Sequence, residues 1–130
     1  MTNKQDLGQL GENIACRYLV EKRYKIVERN FRKQWGEIDI IAKAPDKTLV
    51  FVEVKTIRQY NNDFVNNDNV ISAEDQLTKA KLQKLQRTAS LYVGYYPNLV
   101  DDTKGWQIDL LALTIKENNY VIKHYKNIIL

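Results

Sequence analysis

The sequence predicts an α/β fold in which helices flank one mixed β-sheet. Apolar residues recur at helical spacing near the N-terminus, three segments of strand composition follow, and a second amphipathic helix precedes two further strands. The chain has 130 residues, of which 44% are hydrophobic and 28% charged. A chain of this length and composition is expected to form a single domain, spanning residues 1–130.

The first helix is predicted for residues 7–23, with Asp6 as its N-cap. Its apolar face comprises Leu7, Leu10, Ile14, Ala15, Tyr18 and Leu19. Glu12 lies beside this face, so two interpretations stay open. It is either an edge residue whose carboxylate reaches solvent, or a carboxylate directed toward the sheet. Cys16 is the only cysteine, which excludes an internal disulfide and indicates a small core residue.

Three strands follow, predicted at Tyr24–Arg32, Gly36–Ala42 and Leu49–Ile57. The turn composition Ala44-Pro45-Asp46-Lys47 joins the last two as a hairpin.

The register of this hairpin follows from its turn. If Ala44 pairs with Thr48, Asp39 stands opposite Glu53. Glu37 then stands opposite Lys55, whereas a slip of one residue would place Asp39 and Glu53 on opposite faces. Because side chains alternate along a strand, Phe51, Glu53 and Lys55 share one face, and Ile38, Ile40 and Ala42 share the face opposite Asp39.

The second half of the chain begins with an Asn- and Asp-rich segment, Gln59–Asn69, which is expected to be a mobile loop. Ser72 and Asp75 have the spacing of a capping box, so a second helix is predicted from there to Tyr92 or Val93. We expect it to bury Leu77, Ala80, Leu85, Ala89 and Tyr92. Two more strands are predicted at Gly105–Ile115 and Tyr120–Tyr125.

Charged residues interrupt the two central strands. A carboxylate or ammonium in a covered strand costs several kcal/mol unless it is paired or bound to a cation. Asp39, Glu53 and Lys55 therefore indicate a metal site with a lysine beside it. The alternative for Glu53 and Lys55, which are two residues apart on one face, is a structural ion pair.

Glu12 is the candidate third carboxylate, so the predicted metal ligands are Glu12, Asp39 and Glu53. Oxygen ligands without histidine or thiolate suit Mg²⁺ or Mn²⁺. A metal held there can bind a phosphate oxygen and acidify a water, while Lys55 orients that water and offsets developing charge. Glu37 is a further candidate ligand, an ion-pair partner of Lys55 or Arg58, or a solvated residue at the start of its strand. Asp109 either belongs to the site or forms a salt bridge with a basic residue, and the structural role is favoured.

The charge balance suits a partner that carries phosphates, because the formal net charge is +4 and the pI about 9.1. The basic residues expected to contact a nucleic acid are Arg58, Lys79, Lys81 and Arg87. Tyr95, Tyr96 and Trp106 either stack on unpaired bases or pack at the rim of the core. Apolar runs are shorter than a bilayer span and no signal-peptide pattern is present, so a cytoplasmic protein without a membrane partner is expected.

Asp39 followed by Glu53-Val54-Lys55 resembles the D…ExK signature of restriction-endonuclease-like nucleases. Together with Gly8-Gln9-Leu10-Gly11-Glu12, Trp35-Gly36-Glu37-Ile38-Asp39-Ile40-Ile41 and Ile108-Asp109-Leu110-Leu111, the chain is similar to the YraN-like family of small bacterial proteins. This resemblance implies an αβββαβ core, metal ligation by Glu12, Asp39 and Glu53, and a catalytic role for Lys55. It also implies a relation to archaeal Holliday-junction resolvases.

The expected function is that of a Mg²⁺- or Mn²⁺-dependent endonuclease that hydrolyses phosphodiester bonds of DNA, including branched or damaged DNA. A homodimer is a candidate assembly. The alternative is a non-catalytic nucleic-acid-binding module that retains the nuclease fold.

Overall fold

The computed structural model describes residues 4–59 and 77–128. The elements in these residues are α1 (Lys4–Glu21), β1 (Lys25–Lys33), β2 (Gly36–Lys43), β3 (Leu49–Arg58), α2 (Lys79–Tyr95), a 3₁₀ turn (Pro97–Leu99), β4 (Trp106–Ile115) and β5 (Tyr120–Tyr125). The predicted loop at Gln59–Asn69 lies outside the described residues from position 60 onward. Neither α1 nor α2 is both long and apolar enough to cross a bilayer.

The five strands form one mixed sheet in the order β1-β2-β3-β4-β5. Strands β3 and β4 are parallel, and the other neighbouring pairs are antiparallel. Helix α2 lies in the connection between the two parallel strands, where a crossover is required. This arrangement confirms the predicted α/β class with a mixed central sheet flanked by helices, and it is compatible with an αβββαβ core.

Each helix covers one face of the sheet. The core on the α1 side comprises Ile14, Ala15, Leu19, Ile40, Ala42, Val50, Val52, Leu111, Leu113 and Ile115. The core on the α2 side comprises Phe31, Ile38, Ile41, Leu49, Phe51, Leu82, Leu85, Ala89, Tyr92 and Ile108. Along β3, Val50 and Val52 thus face α1 and Phe51 faces α2, as the alternation predicts. Cys16 packs at the edge of the α1-side core.

The β2–β3 hairpin has the predicted register. Ile40 pairs with Val52 and Lys43 with Leu49, and the Ala44 amide donates to the Thr48 carbonyl at 2.9 Å. The ladder ends at Ile40–Val52, before the predicted opposition of Glu37 and Lys55 could form. Glu37 instead lies 3.9 Å from the guanidinium of Arg32 on β1. That part of the prediction is wrong because it assumed that the ladder continues to the strand ends.

Glycine allows α1 to lie directly on β3. A Cβ atom at Gly11 would collide with the side chain of Thr56, so the helix backbone reaches the strand only because no side chain intervenes. This contact fixes the height of the next residue, Glu12, over the sheet.

Both helices begin elsewhere than predicted. Helix α1 begins at Lys4, so Asp6 lies in its first turn and is not its N-cap. Helix α2 begins at Lys79, and the Thr78 hydroxyl accepts the Lys81 amide at 3.2 Å. Ser72 and Asp75 lie outside the described residues. Threonine offers the same side-chain acceptor as serine, so capping chemistry alone could not distinguish the two starting points.

The later start of α2 changes which residues the helix buries. Leu82 takes a core position, Ala80 is exposed, and Leu77 precedes the helix and is half-buried. Leu85, Ala89 and Tyr92 are buried as predicted. On α1, Leu10 is 39% exposed, contrary to its predicted place on the apolar face.

Strand β1 departs from a regular ladder at two points. A bulge falls between Ile26 and Glu28, and Asn30 has a φ of 52°. Ile40, opposite Arg29, lies in the α1-side core, whereas Ile38, opposite Phe31, lies in the α2-side core. The prediction that Ile38 and Ile40 share a face is therefore wrong, because the pleat does not alternate regularly across Asp39.

Candidate metal and nucleic-acid site

Asp39 occupies the point at which β2 and β3 part. The last ladder pair of these strands is Ile40–Val52. Just beyond it, the Val54 amide donates to Asp39 Oδ2 at 2.8 Å. A carboxylate thus replaces the backbone acceptor that a continued strand would supply. This bond holds Asp39 between β2 and β3, at the place where the two strands separate.

The Asp39 and Glu53 carboxyl groups are close neighbours at this point, near enough for the charge of Glu53 to act on Asp39. Burial of Asp39, with the neighbouring charge of Glu53, raises the pKa of Asp39 from 3.8 to about 7. Two carboxylates in contact repel each other unless a proton or a cation lies between them. The structure thus brings these two predicted ligands together, although the backbone ladder ends one pair before them.

Lys55 completes this cluster on the same strand as Glu53. Its Nζ lies 3.2 Å from Glu53 Oε2, and the two side chains are 21% and 18% exposed. The structural ion pair considered from the sequence therefore exists, and it lies directly beside the carboxyl pair. The Lys55 ammonium also lowers the pKa of Asp39, against the larger effect of burial.

Glu12 approaches this cluster from α1 but is held by another partner. Its carboxylate lies 3.3 Å from the guanidinium of Arg29, whose Nη2 also donates to Asn13 Oδ1 at 2.7 Å. Burial, followed by the nearby charge of Asp39, raises the pKa of Glu12. Glu12 thus lies within electrostatic reach of Asp39, while its hydrogen bonds go to Arg29.

Within residues 4–59 and 77–128, no three acidic, histidine or cysteine side chains are grouped closely enough to hold a metal ion. The structure brings together two of the three predicted ligands, Asp39 and Glu53. A donor set of two carboxylates suits Mg²⁺, which binds through one or two carboxylates and keeps several waters. A carboxyl pair that retains a proton near pH 7 also offers that proton for exchange against a cation.

The carboxyl pair lines a cleft of about 760 Å³ between the ends of β2 and β3 and one side of α2. Basic side chains dominate its wall: Lys33, Lys55, Lys81, Lys84 and Arg87. An acidic pair surrounded by cations can accept a metal and a phosphodiester together, because the phosphate charge is balanced on both sides. We refer to this space as the carboxylate cleft.

The predicted nucleic-acid contacts divide between two regions. Lys81 and Arg87 line the carboxylate cleft, whereas Lys79 lines a separate apolar hollow with Leu110 and Tyr125. Arg58 is the last residue of β3 and is not among the residues that line the cleft. Glu37 does line it, with a side chain that is 67% exposed.

Asp109 has the structural role that the sequence indicated. It is fully buried, and it accepts hydrogen bonds from Gln107 Nε2 at 2.8 Å and the Asn127 amide at 2.9 Å. His124 Nε2 lies 2.8 Å from its other oxygen, and His124 Nδ1 lies 3.0 Å from the Tyr18 hydroxyl. This network joins α1, β4 and β5 and satisfies Asp109 without a metal.

Sequence reasoning missed Arg29 and Lys84. Arg29 lies on the edge strand β1, and a bulge in that strand alters which face the following side chains occupy. The alternation of residues along β1 therefore did not predict its hydrogen bond to Glu12. Lys84 is not among the nucleic-acid contacts that the sequence predicts. The signal that could have selected it is its spacing of three residues from both Lys81 and Arg87, which places all three on one helical face.

Comparison with known proteins finds relatives that match most of the chain. Residues 11–120 match the sequence model of the family described as "Uncharacterised protein family UPF0102". A UPF0102 protein of Syntrophomonas wolfei is 32% identical over 123 residues, covering 95% of this chain and 96% of that protein. One of Campylobacter jejuni is 37% identical over 121 residues, covering 93% and 91%. One of Fervidobacterium nodosum is 35% identical over 126 residues, covering 97% and 83%.

The match includes the first helix from Gly11, the carboxyl pair, Lys55 and all of α2. It confirms the resemblance drawn from the sequence motifs. The chain belongs to the UPF0102, or YraN-like, family.

Proposed function

We propose that this protein is a divalent-metal-dependent endonuclease that hydrolyses phosphodiester bonds of DNA in the cytoplasm. The observation that carries the proposal is the proximity of Asp39, Glu53 and Lys55, which together line a cleft that also contains Lys33, Lys81, Lys84 and Arg87. Buried acids with a raised pKa and a charged partner in a cleft are typical of functional sites.

Asp39 and Glu53 would hold the metal, which would be Mg²⁺ or Mn²⁺ because the donors are carboxylate oxygens. Bound there, the metal supplies a Lewis acid that polarises a phosphate oxygen. Displacement of the proton shared by the carboxyl pair would accompany binding, since both acids must be ionised to act as ligands.

Lys55 would act on the scissile phosphate from beside the metal ligands. Its ammonium is fixed by Glu53 at 3.2 Å and so faces the cleft in a defined position. From there it can orient the attacking water and offset the negative charge that develops on the phosphate. Lys81, Lys84 and Arg87 would bind neighbouring phosphates along α2.

Cleavage of end-labelled linear, flapped and four-way DNA with Mg²⁺ or Mn²⁺ tests this proposal. Glu53→Gln should abolish metal-dependent cleavage while the circular dichroism spectrum stays unchanged. Glu21→Gln, at the exposed end of α1, is the matched control and should cleave like the parent chain. Equal cleavage rates for Glu53→Gln and the parent would exclude the mechanism.

The Glu12–Arg29 pair supports a second candidate function. Glu12, the third predicted metal ligand, is paired with Arg29 instead. On this basis the chain could be a nucleic-acid-binding module that retains the nuclease fold without catalysis. That function predicts salt-sensitive DNA binding, no cleavage of any of these substrates, and no calorimetric signal for Mn²⁺.

A further inference from the structure

A second, smaller hollow of about 300 Å³ opens next to the carboxylate cleft, at the C-terminal end of α2. Its lining is aromatic apart from one lysine, and comprises Phe31, Lys33, Trp35, Tyr95 and Tyr96. We refer to it as the aromatic pocket. Lys33 and Trp35 line both spaces, so the pocket and the cleft share a wall.

Contacts among the rings hold the pocket open at its base. Phe31 packs edge-on against buried Tyr92 at 5.0 Å between ring centroids, and Tyr96 lies 4.7 Å from Tyr92. Trp35 and Tyr95 stack with centroids 5.7 Å apart and planes at 19°. The inner rings therefore belong to the core, and the outer ones are positioned by them.

The outer rings remain accessible to solvent. Tyr95 is 67% exposed and Tyr96 is 47% exposed, although both are attached to a helix end that is anchored by Tyr92. If Tyr95 and Tyr96 served only to pack at the rim of the core, neighbouring side chains would be expected to cover more of their rings. Exposed, pre-positioned aromatic faces beside cationic side chains are instead the arrangement that proteins use to stack unpaired bases.

We propose that the aromatic pocket binds one unpaired base of a DNA strand whose phosphates lie in the carboxylate cleft. This inference rests on the proposed function, because the cleft supplies the backbone contacts. Lys33, on the shared wall, would bind the phosphate between the two spaces. Stacking is tolerant of sequence, so the pocket selects DNA with an unpaired or displaced nucleotide rather than a particular base.

The test uses two hairpin-closed duplexes that differ only in one bulged residue, an adenine or an abasic site. Binding is measured by fluorescence anisotropy of the full chain without divalent metal. The parent chain should bind the adenine bulge about tenfold more tightly, since stacking on aromatic rings contributes on that scale. Tyr95→Ala should bind both probes alike, and Tyr95→Phe should keep the preference.

Tyr120→Ala is the matched control, because Tyr120 is also exposed, at 46%, but lies on β5. It should retain the preference for the adenine bulge. As a second measurement, the adenine bulge should quench Trp fluorescence in the parent chain but not in Trp35→Phe, whose remaining tryptophan is Trp106.

If the parent chain binds both probes with equal affinity while its metal-dependent cleavage is intact, the aromatic pocket does not bind an unpaired base. The nuclease proposal would then still stand. An adenine preference that survives Tyr95→Ala would also overturn the aromatic pocket. Failure to bind either probe would contradict both the pocket and the proposed function.

Discussion

The Val54 amide donates to Asp39 Oδ2 at 2.8 Å, just beyond Ile40 and Val52, the last backbone pair of β2 and β3. This bond ends the ladder and at the same time fixes the acid that contacts Glu53. A local feature of sheet structure therefore determines the position of the candidate metal ligands.

The pKa of Asp39 predicts how stability depends on pH. Between its unfolded value of 3.8 and its folded value of about 7, the folded chain retains a proton that the unfolded chain releases. The free energy of unfolding should therefore fall as pH rises through this window, because the folded state binds more protons. In Asp39→Asn this contribution disappears, and the amide can still accept the Val54 bond.

Urea unfolding at pH 5, 6, 7 and 8 measures this effect. The difference in stability between Asp39→Asn and the parent should grow in favour of the variant as pH increases. Parallel pH profiles for the two proteins would show that Asp39 ionises in the folded chain as it does in the unfolded one.

The pair formed by Glu12 and Arg29 should be energetically coupled. Replacement of Arg29 by Met leaves Glu12 without its cation. The Glu12 side chain is 11% exposed and the Arg29 side chain 36% exposed. We expect a coupling of about 1 kcal/mol in a double-mutant cycle with Glu12→Gln. Asn13→Ala removes one bond to Arg29 but no charge, and should cost less. A coupling of zero would mean that the pair contributes nothing to folding.

Gly36 should not tolerate a side chain. Its φ is 156°, and a Cβ atom there would collide with the Thr88 side chain on α2. Gly36→Ala should lower the free energy of unfolding by about 1–3 kcal/mol, since an extra methyl in a packed contact costs that much. Gly8→Ala is the matched control: nothing lies within 4 Å of its Cβ position, so it should stabilise α1 by about 0.5–1 kcal/mol. The expectation fails if both substitutions shift Tm in the same direction.

Asp109 should affect folding and not metal binding. In Asp109→Asn, the amide group would face His124 Nε2 and place two donors against each other, unless the histidine changes tautomer and its Nδ1–H donates to the Tyr18 hydroxyl. We expect a loss of about 2 kcal/mol in stability. Below its unfolding temperature the variant should bind Mn²⁺ like the parent, as titration calorimetry can measure. Loss of Mn²⁺ binding in a folded Asp109→Asn protein would place this acid in the site.

Features set by local chemistry were predictable from the sequence. The turn from Ala44 to Thr48 and the two-residue period of β3 determined the register, and with it the approach of Asp39 and Glu53. Both depend on neighbours within one hairpin, where pleat and turn length leave little choice.

Features that depend on competition between distant partners were not predictable. The Glu12 side chain could interact with Asp39 or with Arg29. Which partner it contacts depends on the conformation of β1, with its bulge at Ile26–Glu28 and the positive φ of Asn30. No residue pattern in the sequence predicts these two irregularities. The start of α2 was also not predictable, because Ser72 and Thr78 offer the same capping chemistry. The aromatic pocket arises only when β1, the turn between β1 and β2, and the end of α2 meet.

Binding of Mn²⁺ between Asp39 and Glu53 tests the central claim most directly. Crystals soaked in Mn²⁺ should show anomalous density within about 2.0–2.6 Å of both carboxylates, the range for hard cations and oxygen ligands. The same density should be lost in Glu53→Gln and retained in Glu21→Gln. Density elsewhere, or none at this pair at a pH above 7, would contradict the account.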